Sequence, residues 1–64
     1  MFKKHFPHLE EWVNTRGWVE LGSDEYSNSW VRILDIGGMV WEDEGSDSLE
    51  EALKAAENWL AKEM

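Results

Sequence analysis

Residues 29–44 read SWVRILDIGGMVWEDE: two β-branched and aromatic runs, 30–36 and 39–43, meet at Gly37-Gly38 and end in acid. Runs of that composition interrupted by a glycine pair predict two antiparallel strands joined by a two-residue turn. With the turn at Gly37-Gly38, Ile36 faces Met39, Leu34 faces Trp41, and Arg32 faces Asp43 as an ion pair. One side of the ribbon then carries Trp30, Leu34, Ile36, Met39 and Trp41. The other carries Val31, Ile33 and Val40 among Asp35, Glu42 and Glu44. Strict alternation leaves two assignments open. Either the tryptophan side is covered, or Val19, Leu21, Val31, Ile33 and Val40 form the core with the tryptophans outside. A longer loop from Asp35 to Gly38 would re-pair the strands and leave the alternation along each one intact.

Upstream, Pro7 suits a first helical turn, and Leu9, Trp12 and Val13 recur at i, i+3, i+4, with Glu10 and Glu11 turned to water. The spacing predicts a helix over 7–15, stopped by Arg16 and a left-handed cap at Gly17. GWVELG, residues 17–22, reads as a strand with Val19 and Leu21 on one side and Trp18 and Glu20 on the other. SDEYSNS, residues 23–29, reads as a loop. Downstream, Ser48 is a candidate N-cap with Glu51 as its capping-box partner. Leu49, Ala52, Leu53, Ala56, Leu60 and Met64 then form a helical stripe, with Trp59 at its edge and Glu50–Lys54 as an i, i+4 ion pair. This predicts a helix over 49–62. The order is α-β-β-β-α, and the expected fold is a single α+β domain over residues 1–64: a three-stranded antiparallel sheet with both helices on one face.

The chain has 64 residues, no cysteine and five tryptophans, at positions 12, 18, 30, 41 and 59. Disulfide staples and thiolate metal sites are therefore excluded, and large aromatic side chains must supply the core or an interface. Fourteen acids face six bases, a net charge of −8. Glu42, Asp43, Glu44, Asp47, Glu50 and Glu51 fall within ten residues that contain no base. Such a surface repels phosphate backbones and anionic membranes and attracts a basic partner. No run approaches the roughly 18 apolar residues of a membrane span. MFKKHFPHLEEW at the start lacks the apolar segment of a secretory signal, so a cytoplasmic protein is the expectation.

Chemistry-bearing constellations are sparse. His5 and His8 stand three apart without a third ligand, whereas a metal site needs three or four that converge. EDEGSDSLEE, aligned on Gly45 as a calcium-loop glycine, puts Glu42, Glu44 and Glu51 at ligand positions but Val40 at the first one, after a strand instead of a helix. Neither histidine has a Ser–His–Asp context, there is no Gly-x-Ser-x-Gly elbow, and Gly37-Gly38 lies in no phosphate-loop pattern. No enzyme activity, metal or cofactor is expected.

The hairpin followed by GSDSLEEALKAAENWL resembles the small HicB-type antitoxin domain, whose helix opens on Ser/Thr-x-Glu-Glu-Ala-Leu. That pattern falls on Ser48, Glu50, Glu51, Ala52 and Leu53, and the similarity spans about half the chain. Gly37-Gly38 stands where that family has a Pro-Gly-Cys-like turn. The resemblance implies a non-catalytic, antitoxin-like neutraliser of a basic protein. The complete α-β-β-β-α order is similar to the double-stranded-RNA-binding domain, which grips phosphates with lysines at the start of its second helix. Leu49, Glu50 and Leu53 occupy those places here, behind acidic Glu42, Asp43, Glu44 and Asp47, so the fold is implied without the RNA binding. The expected function is a protein-interaction module whose partner contacts Glu42, Asp43, Glu44, Asp47, Trp30 and Trp41. The alternative is a structural homodimer joined through the spare face or edge of the sheet. Neither nucleic acid nor membrane is an expected partner.

Overall fold

The computed structural model describes residues 2–22 and 29–64. Its elements are a one-turn helix α1 (Phe2–His5), then α2 (Pro7–Thr15), β1 (Gly17–Leu21), β2 (Val31–Asp35), β3 (Gly38–Glu42) and α3 (Leu49–Glu63). The order α-β-β-β-α is as expected, with α1 as an added turn. The strands form one antiparallel meander, β1-β2-β3, with β2 in the centre. Of the loop expected over 23–29, only Ser29 lies within the described residues.

Helix α2 begins with Pro7 in its first turn but has no side-chain cap of its own, because Phe6 occupies the N-cap. The cap comes from α3. Glu57 Oε1 accepts the backbone N–H groups of His8 and Leu9, each at 3.0 Å, and Oε2 lies 2.5 Å from His8 Nδ1. A carboxylate here satisfies donors that have no intrahelical partner and meets the positive end of the helix dipole. Helix α3 is capped locally: Ser48 Oγ accepts the N–H of Glu51 at 3.2 Å. The Glu51 carboxylate reaches back one residue further than a capping box predicts, accepting from Asp47 N–H at 3.3 Å. The expected Glu50–Lys54 pair forms at 3.4 Å on the exposed side of the helix.

The core lies between the two long helices and one face of the sheet. Leu9 and Trp12 of α2, Val31 and Ile33 of β2, and Ala52, Ala56 and Leu60 of α3 are buried together. Phe6, Val19, Trp30, Trp41, Leu53 and Trp59 pack around them. The indole N–H groups of Trp12 and Trp30 are both satisfied, by Leu34 O at 3.0 Å and Ser46 O at 2.9 Å. Burying an indole requires such a partner for its polar edge.

The hairpin departs from its expected register in two ways. The turn is Ile36-Gly37, closed by the pair Asp35 and Gly38, rather than Gly37-Gly38. Asp35 Oδ1 accepts the N–H of Gly37 at 2.8 Å, so the aspartate's own side chain starts the turn one residue early. Gly38 takes φ +123°, a value that side-chain-bearing residues avoid. Leu34 consequently pairs with Met39, but Ile33 pairs with Trp41, which leaves Val40 as the extra residue of a β-bulge. Alternation along β3 breaks at this point, and Met39 and Trp41 fall on opposite faces. Neither expected assignment holds whole. Val31 and Ile33 are buried and Val19 packs on them, whereas Trp41 joins them beneath α3 and Leu21 and Val40 are exposed. Arg32 faces Glu42, not Asp43.

Gly17 is needed for a reason other than helix termination. It is not among the glycines with positive φ, and it enters β1 directly after Arg16. A Cβ on it would sit 2.0 Å from Leu34 O and 2.9 Å from Asp35 Cα, both backbone atoms. Gly17→Ala should therefore cost about 2–3 kcal/mol in urea unfolding. Gly37→Ala, whose Cβ would meet only the Asp35 side-chain oxygen at 3.3 Å, should stay within about 0.5 kcal/mol of the parent. Removing the borrowed cap with Glu57→Ala should cost about 1–2 kcal/mol in the same measurement, since two helix N–H groups lose their acceptor.

Candidate protein-interaction surface

The helices cover the face of the sheet that holds Val19, Val31, Ile33 and Trp41, and among the described residues no element covers the other face. Cross-strand register builds that outer face in rows. Trp18, Leu34 and Met39 are direct partners across the three strands and form one apolar row. Trp18 is 45% exposed and Met39 51%, and Ile36 stands fully exposed in the adjoining turn. The next row is charged: Glu20, Arg32 and Glu42. Arg32 turns toward β1, with Nε 3.3 Å from Glu20 Oε1 and Nη2 donating to Gly22 O at 2.8 Å. Its Nη1 donates to the carbonyl and hydroxyl oxygens of Ser29, both at 3.2 Å. Scattered single apolar side chains are ordinary on a surface, but four large ones in neighbouring sites on an uncovered sheet are a patch.

The residues expected to meet a partner divide between surface and interior. Glu44 and Asp47 are exposed and Glu42 is half-buried on the outer face. Trp41 stacks on Trp59 of α3, with ring centroids 6.1 Å apart and planes 25° apart, and Trp30 packs against the core. Asp43 is only 3% exposed, so it contributes no acidic surface. Its Oδ1 accepts the N–H groups of Trp30 and Val31, each at 2.7 Å, and Oδ2 accepts that of Ser46 at 3.3 Å. The carboxylate thus joins the start of β2 to the loop between β3 and α3. Trp18, Leu34 and Met39 take the place of the partly buried Trp30 and Trp41 on the accessible face. The sequence carries a trace of this, because alternation in GWVEL puts Trp18 beside Glu20 and opposite Val19.

Other surface features carry less chemistry. A shallow groove runs between His5, Phe6 and the first turns of α3, lined by Leu49, Glu50, Leu53 and Lys54. Its floor residues Phe6 and Leu53 belong to the rim of the core. Among the described residues, no group of three or more His, Asp or Glu converges as a metal site would, and no helix is long and apolar enough to cross a membrane. Comparison with protein-family models, curated proteins and solved structures finds no match to this chain.

Burial works against the charged form of Asp43, but hydrogen bonds from the Val31, Ser46 and Trp30 N–H groups and the Ser46 hydroxyl outweigh it. The carboxyl therefore titrates below its usual value. In the unfolded chain the group takes up its proton near pH 3.9, whereas the folded chain resists until lower pH. Its stabilisation is thus fully present above about pH 4 and disappears as pH falls through the lower folded value. Asp43→Asn should lower stability at neutral pH by about 1–2 kcal/mol. It should also flatten the acid limb of stability against pH, read from urea midpoints between neutrality and about pH 2.

Proposed function

We propose that this chain is a non-catalytic protein-interaction module that holds its partner on the outer face of the sheet. The observation that carries the reading is the in-register row Trp18–Leu34–Met39, with Trp18 and Met39 exposed, Leu34 half-buried between them, and the exposed Ile36 beside it. Antiparallel sheets commonly keep one face wet, but that face is then polar. Here it bears aromatic and aliphatic side chains that cost solubility and add nothing to the core, which supports their being kept for contact. The acidic surface beyond it, with Glu44 and Asp47 exposed, supports a partner of opposite charge. An antitoxin-like neutraliser of a basic protein would be a module of this kind.

The second reading is a homodimer joined through the same face, which the bare row also suits. Two considerations weigh against it. Each copy brings a net charge of −8, and four side chains are few beside the roughly 20–30 residues a side of a standard interface. Sedimentation velocity distinguishes the readings, with a monomer expected at every attainable concentration.

The test pairs the parent with a Trp18→Ser, Met39→Ser double variant. Both positions are about half exposed on the outer face, so the variant should keep its unfolding free energy to within about 1 kcal/mol of the parent. Proteins captured from cell extract by the parent and lost with the folded variant are the expected result. An identical set captured by both would overturn the proposal.

A further inference from the structure

Resting on that reading of the outer face, we infer what lies on it: a short cationic, amphipathic segment of another protein. Its apolar side chains cover the Trp18–Leu34–Met39 row and a lysine or arginine sits against Glu42. The charge pattern of the face carries the inference. Arg32 is the register partner of both Glu20 and Glu42, yet its guanidinium is spent on Glu20 and Gly22 on the β1 side and on Ser29 just ahead of β2. Glu42 is left without a cation among the described residues, and exposed Glu44 follows it on the chain. The apolar row is therefore flanked by a neutralised pair on the β1 side and by uncompensated negative charge on the β3 side.

The occupant's dimensions follow from the rows. Successive outward residues of a strand are about 6.8 Å apart, which is the separation of the apolar row from the acidic one. A segment that spans both needs its basic residue two positions from an apolar anchor if extended, or four positions if helical, about 6 Å. Four apolar side chains offer too little area for a large interface, so charge must supply part of the affinity and salt must weaken it. A second copy of this chain fits poorly, given a net charge of −8. A nucleic acid or an anionic membrane brings the wrong sign of charge.

The experiment uses three peptides of about ten residues, roughly 33 Å when extended. Each alternates leucine with lysine, glutamine or glutamate, and each is titrated into the isotope-labelled chain while amide and indole resonances are followed. The leucine–lysine peptide should shift the outer-face amides of β1, β2 and β3 and the Trp18 indole, and bind about tenfold more tightly than the leucine–glutamine peptide. Glu42→Gln should weaken it about three- to fivefold, and raising salt should weaken it further. Trp18→Ser should abolish the outer-face shifts, with Met39→Gln as a second variant should the first perturb folding. Equal binding of the glutamine peptide on the same face would overturn the cationic segment and leave the contact-surface reading standing. Shifts confined to residues 44–51, or an absence of shifts on the outer face with all three peptides, would also overturn it. The contact-surface reading falls separately, through unchanged capture by the Trp18, Met39 variant. Duplex RNA and anionic vesicles, titrated in parallel, should leave the spectrum unchanged; shifts of the outer face with either would overturn the inference.

Discussion

The Asp43 carboxylate, together with the Trp30 indole bonded to Ser46 O, ties together distant parts of the chain. It receives backbone N–H groups from Trp30, Val31 and Ser46, so the entry to the central strand and the loop that delivers α3 meet at one side chain. A buried charge is tolerable only when hydrogen bonds replace its water, and three backbone donors do so here. With no cysteine in 64 residues, covalent reinforcement is absent. Glu57 works in the same way between the helices, capping α2 from α3. One carboxylate thus ties the loop before α3 to the central strand, and the other ties α2 to α3. Each does so through backbone donors that would otherwise be unsatisfied.

Once those anchors hold, the bulge at Val40 determines which side chains the helices bury. Without it, Met39 and Trp41 would share a face. With it, Trp41 stacks on Trp59 beneath α3, and Met39 completes the outer row with Trp18 and Leu34. A bulge also bends and twists an edge strand, which discourages another strand from adding to it. The β3 edge is therefore less inviting than the open face beside it. The structure leaves Trp18 and Met39 exposed where neither the core nor an extra strand uses them, with acid unpaired among the described residues on the β3 side of the row.

Local patterns in the sequence were sufficient for the helices. Proline in the first turn and apolar residues at i, i+3 and i+4 placed α2 at Pro7–Thr15, and the Ser48 cap placed α3 to within a residue at its far end. Such signals act within a turn or two of the chain, so they can be read without knowing the distant contacts. The strand runs and the α-β-β-β-α order were legible for the same reason, because each run of β-branched and aromatic residues is bounded by its own turn residues. Trp18 was legible in part, since its opposition to Val19 follows from alternation alone.

What tertiary structure alone decided was register, and through register the surface. The glycine pair allowed a turn at 37–38, but the Asp35 side chain closed it one residue earlier, and the bulge that followed moved Trp41 across the sheet. Asp43 reads as one acid among six in a charged run, and its burial depends on N–H groups 12 and 13 positions away. Gly17 reads as a helix stop, whereas it is demanded by a carbonyl 17 residues further on. Alternation is a property of one strand by itself, but pairing, bulges and the capture of a carboxylate depend on groups brought close only by folding. Composition and periodicity therefore determined that one face of the sheet would be spare. Contacts between residues distant in the chain determined that it would be the face of Trp18, Leu34 and Met39.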